Sequence, residues 1–155
     1  MSMQRTHIAS IMRTGFERLQ PATPIREAVA RLAKRGAAAA PVIDEDGRLV
    51  GILTQKDCFR PMLGASYYDQ WEGTVETFMS RNVATLPETL DFVSAAEAFL
   101  ARSHRVYPVM RDVEIVGLLH RSDLFAALVE LSGGAYNRPP ANLADPVARK
   151  RVSRI

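Results

Sequence analysis

With 155 residues, 47% of them hydrophobic and 24% charged, the chain is long enough for one compact domain or for two small units that share a core. The single cysteine, Cys58, excludes an internal disulfide framework and favours a reducing cytosol, and no apolar run approaches the roughly 18 residues of a membrane span. The net charge of +3 comes mainly from the basic segment between Asn137 and Ile155, so a basic folded surface for nucleic acid is not indicated.

The first predicted helix begins after Thr23 and Pro24, which are typical of a helix N-terminus, and ends at Gly36. Its apolar side chains follow the i, i+3, i+4, i+7 spacing of an amphipathic helix: Ile25, Ala28, Val29 and Leu32.

A β-hairpin is predicted next. The apolar runs Pro41–Ile43 and Leu49–Leu53 flank the turn Glu45-Asp46-Gly47, which is a strong hairpin signal. A second helix is expected to begin near Asp57, where the hairpin ends.

The same pattern then occurs again. A shift of 67 residues places Ile11–Phe16 on Phe78–Val83, and it places the first helical stripe on a second one that follows Thr89 and Asp91: Phe92, Ala95, Ala96 and Phe99. After the hairpin turn the shift becomes 66, because the second turn is one residue shorter, and Asp57 then falls on Asp123. The register indicates a duplicated unit of strand, helix, hairpin and helix.

The hairpins end in a related signature. Gly51–Asp57 reads Gly-aliphatic-x-Thr-x-x-Asp, and Gly117–Asp123 matches it except for His120, where Ser or Thr is usual. Together with the Pro-Val strands and the Asp-Gly turn, this signature resembles a tandem pair of CBS domains, the module named after cystathionine β-synthase. The resemblance covers residues 11 to 131.

The resemblance implies an α/β fold in which two β-α-β-β-α repeats, related by a pseudo-two-fold axis, form one compact module. The expected boundaries are an N-terminal extension over 1–10, repeats over 11–60 and 78–131 with a connector over 61–77, and a flexible basic tail over 132–155. The resemblance also implies two clefts that bind adenosine-containing ligands such as AMP, ATP or S-adenosylmethionine. It further implies that two chains associate into a homodimer.

In this family a cleft combines the Asp turn of one repeat with the segment before the Pro-Val strand of the other. Carried over by position, the cleft that we expect to be occupied consists of Thr54, Lys56, Asp57, Thr85, His104 and Arg105. Its hydroxyls, carboxylate and cations suit a phosphorylated nucleoside. The weaker second cleft consists of Arg18, Ala37, Ala38, His120, Ser122 and Asp123. A protonated His120 would contact a phosphate there, and a packed histidine is the alternative.

The signature also has a physical interpretation. Gly51 allows a close approach of the backbone to a ligand, Asp57 suits the two hydroxyls of a ribose, and free N–H groups at the helix start suit a phosphate. The alternative is that the two aspartates only cap their helices. For the aromatic connector the alternatives are rings that pack on the core and an exposed surface for a dimer or partner.

The leading hypothesis is therefore a regulatory module that binds an adenosyl ligand, requires no other cofactor and signals to an unknown effector protein. A ligand-free dimerisation scaffold is the alternative. An enzyme is not expected, since no catalytic triad or phosphate-binding loop is present in the sequence and His7, His104 and His120 lack metal-ligand spacing. Cys58 is expected to be a core residue. We expect no signal peptide and no role in membrane or nucleic-acid binding.

Overall fold

The computed structural model of the chain describes residues 6–133. The rest of the predicted N-terminal extension and nearly all of the predicted tail, 134–155, lie outside the described residues. Within them, after a 3-10 turn at Ile8–Ser10, the helices are α1 (Ile25–Arg35), α2 (Gln55–Tyr68), α3 (Val75–Phe78), α4 (Phe92–Ala101) and α5 (Arg121–Leu131). The strands are β1 (Ala39–Ile43), β2 (Leu49–Thr54), β3 (Leu86–Pro87), β4 (Val106–Arg111) and β5 (Glu114–His120).

The first predicted helix is confirmed as α1. Its end at Gly36 is confirmed too, because Gly36 has the left-handed φ of 60° and donates its N–H to the carbonyl oxygens of Leu32 and Ala33. The capping role expected for Thr23 is wrong. Pro24 occupies the N-cap position without a side-chain bond, and the hydroxyl of Thr23 accepts a hydrogen bond from the N–H of Gln20 (3.2 Å).

The predicted hairpin is formed by β1 and β2, which pair antiparallel with Ala39 opposite Thr54. Its turn is fixed by Asp44, whose Oδ1 accepts the N–H groups of Asp46 and Arg48 at 2.9 Å each. Gly47 takes a positive φ of 80°, which residues other than glycine rarely adopt.

The second repeat has the same order of elements. Its three-stranded sheet has the order β3-β4-β5, with β3 parallel to β4 and β5 antiparallel. In the first repeat the counterpart of β3 is reduced to one parallel bridge between Leu19 and Val42. As expected, Asp91 caps α4 by accepting the N–H of Ser94 (3.1 Å). The second repeat therefore has the predicted β-α-β-β-α order, and the first repeat has it with a single bridge in place of the first strand.

The two repeats exchange their leading segments. Arg13 pairs with Leu118 of β5 through two backbone bonds of 2.8 and 2.9 Å, and Ser80 pairs with Ile52 of β2 through two bonds of 2.9 and 3.0 Å. Since Arg13 and Ser80 occupy equivalent positions, as do Leu118 and Ile52, the contacts are reciprocal. This reciprocity is the pattern expected of the pseudo-two-fold relation.

The exchange explains the two signature glycines. A Cβ built at Gly51 would lie 2.5 Å from the sulfur of Met79, and one built at Gly117 would lie 2.6 Å from the sulfur of Met12. Each glycine therefore makes room for a methionine of the other repeat. The expected close approach of a ligand to Gly51 is wrong, because Met79 fills that space.

Buried clusters of apolar side chains hold many of these elements together. One combines α1, the first hairpin and the start of α2 with Val75 and Met79. Cys58 belongs to it, and burial raises the pKa of its thiol to about 11, which agrees with the expected core role. Another cluster is shared by the sheets of both repeats: Ala39, Ile52, Val106, Ile115 and Leu118.

The connector differs from its expected form. The predicted connector, 61–77, is largely helical, because α2 extends into it as far as Tyr68 and α3 begins at Val75. The alternative in which the aromatic rings pack on the core is wrong for Tyr67 and Tyr68, which are each 78% exposed. Trp71 is 37% exposed.

The chain divides into two units after Leu124. The described part of the second unit continues α5 to Leu131 and then turns, with the hydroxyl of Ser132 donating to the carbonyl oxygen of Val129 (2.7 Å).

Candidate functional site

Asp57 lies in the first turn of α2, directly after β2. Thr54 is the N-cap residue, and the two residues form a capping box: the Thr54 hydroxyl accepts the N–H of Asp57 (3.2 Å), and Oδ2 of Asp57 accepts the N–H of Thr54 (3.0 Å). Asp57 therefore caps its helix, as the capping alternative expected. The box also fixes the side-chain rotamer of Asp57, and a carboxylate that binds a ligand needs such a fixed orientation.

The second repeat contributes Ser80 to this aspartate. The Ser80 hydroxyl donates to Oδ2 of Asp57 over a long 3.4 Å, and the backbone pairing of Ser80 with Ile52 holds it in place. Oδ1 of Asp57 accepts no hydrogen bond from the described residues. Asp57 is therefore a partly exposed, oriented carboxylate with one oxygen available to a ligand.

Asp123 occupies the equivalent position in the second repeat but has a different partner. Arg13 donates from Nε to Oδ2 (2.7 Å) and from Nη2 to Oδ1 (3.1 Å), which is a bidentate ion pair. This pair lowers the pKa of Asp123 chiefly through the side-chain hydrogen bond from Arg13. Both oxygens of Asp123 are thus engaged by a cation of the same chain.

His120, which replaces the usual hydroxyl, lies directly before α5. Its Nδ1 is buried without a hydrogen-bond partner among the described residues, and burial, with a smaller effect from the charge of Arg13, lowers its pKa. Burial therefore disfavours the protonated imidazole on which the predicted contact of His120 with phosphate depends.

The other residues predicted for the first cleft lie apart from this hydrogen-bond network. Lys56, Thr85 and Arg105 are exposed. His104 stacks on Tyr107 with the ring centroids 5.2 Å apart. No hydrogen bond or ion pair between described residues joins His104 to Asp57.

The shared core cluster nevertheless relates these segments. Ile52 and Val106 both belong to it, Thr54 follows Ile52 by two residues, and Arg105 directly precedes Val106. The carbonyl oxygen of Arg105 accepts the N–H of Arg121 (2.8 Å), which fixes the course of its backbone. The predicted membership of the first cleft stays a prediction.

The remaining residues of the second cleft serve other contacts. The guanidinium of Arg18 lies 4.7 Å from the centre of the Phe16 ring. The carbonyl oxygens of Ala37 and Ala38 accept hydrogen bonds from the side chain and the N–H of Gln55, at 3.0 and 3.1 Å. Ser122 is exposed.

The start of α2 offers fewer free N–H groups than the sequence led us to expect. The N–H of Gln55 donates to Ala38 and the N–H of Asp57 donates to Thr54, so two of the first three are satisfied within the fold. A phosphate at this position would depend more on exposed side chains such as Lys56 and Arg105.

The sequence interpretation missed Arg13 and Ser80 as site residues. Their alignment in the repeat was the available signal, because it placed Arg13 on Ser80. The alignment could not reveal that each of these residues contacts the aspartate of the other repeat.

Two further features are absent from residues 6–133. No cluster of three or more His, Cys, Asp or Glu side chains in that range is arranged to hold a metal ion. None of its helices is both long enough and apolar enough to cross a membrane.

The family model of the CBS domain matches the chain twice, over residues 8–64 and 75–130. Among curated proteins, the A-adding tRNA nucleotidyltransferase of Aquifex aeolicus is 31% identical over 123 residues, which are 79% of this chain. The match spans only 14% of that enzyme's length.

Solved structures of CBS pairs are similar over about four fifths of this chain. The CBS domain pair of protein MJ0100, in complex with 5′-methylthioadenosine and S-adenosyl-L-methionine, has 28% identity and a TM-score of 0.67, covering 83% of this chain and 97% of that one. CBSX2 in complex with AMP has 21% identity and a TM-score of 0.70, covering 81% and 98%. At 21% identity, the similarity to CBSX2 shows the fold alone.

Proposed function

The chain belongs to the CBS domain family, and we propose that it is a regulatory module that binds an adenosine-containing ligand at Asp57. The observation that carries this proposal is the state of the Asp57 carboxylate. The capping box orients it, Ser80 approaches it from the other repeat, and Oδ1 accepts no bond from the described residues.

The chemistry of a ribose fits this carboxylate. Two vicinal hydroxyls donate to one ionised carboxylate through charge-assisted hydrogen bonds, which are about twice as strong as bonds between neutral groups. Thr54, Lys56, Thr85, His104 and Arg105 complete the proposed cleft as hydroxyl, ring and cationic partners for the rest of a nucleotide. The adenosyl ligands of MJ0100 and CBSX2 support this choice of ligand class.

The proposed role is regulatory and non-catalytic. A ligand that contacts Asp57 in one repeat and Ser80 in the other binds one arrangement of the repeats better than others, and it shifts the population toward that arrangement. A separate effector protein would respond to this shift. The cytosolic location remains a prediction from the single cysteine, and no other cofactor is proposed.

Isothermal titration with AMP, ATP and S-adenosylmethionine tests the proposal. We expect micromolar affinity for at least one of them and a loss of that binding in Asp57→Ala. Hydrogen exchange of the liganded and free chains then tests the conformational response. A folded chain that binds none of the three contradicts the adenosyl-sensor function.

The alternative function, a dimerisation scaffold, has one observation in its favour. Helix α2 exposes a row of large apolar side chains at helical spacing: Phe59, Met62, Leu63 and Tyr67. Exposed apolar faces of this kind are typical of protein interfaces. We propose a homodimer through α2, and sedimentation of wild type beside Leu63→Glu tests it. A dimer that persists in Leu63→Glu contradicts this interface.

A further inference from the structure

The two clefts differ at the residue that the opposite repeat supplies. In the Asp57 cleft that residue is Ser80, with one bond of 3.4 Å to the carboxylate. In the Asp123 cleft it is Arg13, with two bonds of 2.7 and 3.1 Å. The backbone pairing of both residues is the same, so the difference lies in the side chain alone.

The Arg13 guanidinium makes the contact that a ribose would make. It presents two parallel N–H groups to two carboxylate oxygens, much as a ribose presents two neighbouring hydroxyls. A nucleoside at Asp123 must therefore first separate this ion pair. A nucleoside at Asp57 has to displace at most one long hydrogen bond from a neutral hydroxyl.

We propose that Arg13 is an internal latch that closes the Asp123 cleft to ribose and thereby directs an adenosyl ligand to the Asp57 cleft. This inference rests on the proposed adenosyl-binding function and adds to it the residue that selects between the clefts. His120 acts in the same direction, since burial of its ring disfavours the protonated form that could compensate for the displaced guanidinium.

The size of the effect follows from the exposure of the pair. The side chains of Arg13 and Asp123 are 55% and 31% exposed, so solvent weakens their attraction. Exposed pairs are weak, but bidentate geometry strengthens them, and we expect the latch to reduce affinity at Asp123 by about five- to tenfold.

Adenosine is the probe of choice, because it has the ribose hydroxyls and no phosphate that Arg13 itself would attract. Titrations are made in the Asp57→Ala background, where binding reports on the Asp123 cleft. Adding Arg13→Ser, which copies the other cleft, is expected to tighten adenosine binding about five- to tenfold. Adding Asp123→Ala as well is expected to remove this gain.

The reciprocal variant is Ser80→Arg in the wild-type chain. It places an arginine opposite Asp57, and we expect adenosine to bind there about five- to tenfold more weakly. Arg13→Gln, which keeps a polar side chain without the charge, serves as a second way to open the latch. Thermal unfolding of each variant checks that it is folded.

A matched control exists in the second repeat, which also contains Asp123. Arg111 binds Glu88 through an equally bidentate pair of 2.9 and 3.0 Å, and its side chain is 62% exposed. Arg111→Ser removes a comparable ion pair outside both proposed clefts. We expect it to leave adenosine affinity unchanged.

Each outcome has a separate meaning. Unchanged adenosine affinity in both Arg13 variants overturns the latch while the proposed function stands. Weaker AMP binding with unchanged adenosine binding identifies Arg13 as a phosphate ligand and also overturns it. Adenosine binding that is gained with Arg13→Ser and lost again with Asp123→Ala supports the latch. Absence of adenosine binding in every variant overturns the latch, while the titration with AMP, ATP and S-adenosylmethionine decides the proposed function.

Discussion

Asp57 and Asp123 follow equivalent hairpins and begin equivalent helices, yet their carboxylates are held in different ways. Asp57 belongs to a capping box and receives one neutral hydroxyl, whereas Asp123 caps nothing in the described residues and is bound by Arg13. Two sites with the same aspartate are thus made unequal by residues elsewhere in the sequence. The comparison teaches that a duplicated motif has to be assessed together with the segment that the other copy contributes.

The largest difference in stability is expected at the two signature glycines. In Gly51→Ala the new methyl group would meet the buried Met79 side chain and, at 3.0 Å, the backbone oxygen of Ser80. Overpacking of this kind costs about 1–3 kcal/mol, and we expect about 2–3 kcal/mol here. In Gly117→Ala the three nearest atoms all belong to the side chain of Met12, which moves more easily than backbone, so a cost of about 1 kcal/mol is expected.

Urea denaturation measures both values. Gly64→Ala is the control, because its Cβ meets nothing within 4 Å and alanine favours a helix over glycine by about 0.5–1 kcal/mol. Equal losses at Gly51 and Gly117 would show that the backbone contact at Ser80 does not distinguish the repeats.

The next effect concerns the helix caps. Thr54→Ala removes the hydroxyl half of the capping box of α2, and we expect a loss of about 1 kcal/mol in the free energy of unfolding. Thr54→Ser retains the acceptor oxygen and should retain most of the stability. A Thr54→Ala chain as stable as wild type would mean that the box contributes little to the fold.

The smallest effect is the pH dependence of the Arg13–Asp123 pair. Because the pKa of Asp123 in the folded chain lies below the unfolded value of about 3.9, the pair stabilises the fold above that pH. The contribution is lost as the pH falls through the folded-state pKa. For a pair this exposed we expect less than about 1 kcal/mol.

Thermal unfolding between pH 6 and pH 2, for wild type and Asp123→Asn, measures this dependence. The two curves should differ at the upper end and converge at the lower end. A constant difference across the range would exclude titration of Asp123 as the cause.

The sequence predicted the local elements well, because periodicity and turn chemistry are local properties. The correct order of elements followed from three signals taken together: the helical stripe from Ile25 to Leu32, the turn at Gly47 and the duplication. The extension of α2 beyond residue 60 was not predicted, because a proline such as Pro61 is unfavourable within a helix, and here tertiary packing buries it there.

The site was predictable only in part. Thr54 and Asp57 lie in one turn, so their mutual contact follows from their spacing. The contacts of Arg13 and Ser80 depend on segments that cross between the repeats, and no local pattern encodes a partner 110 residues away. The glycines were misinterpreted for the same reason, since the methionines that require them come from the other repeat.

The central claim is that Asp57, and not Asp123, is the ribose-binding carboxylate. Calorimetric titration of adenosine into wild type, Asp57→Ala and Asp123→Ala tests it most directly. Loss of two charge-assisted hydrogen bonds predicts at least about a hundredfold weaker binding at the Asp57 cleft in Asp57→Ala, which leaves only the weaker Asp123 cleft, and we expect little change in Asp123→Ala. The opposite pattern, with binding lost only in Asp123→Ala, would contradict the account.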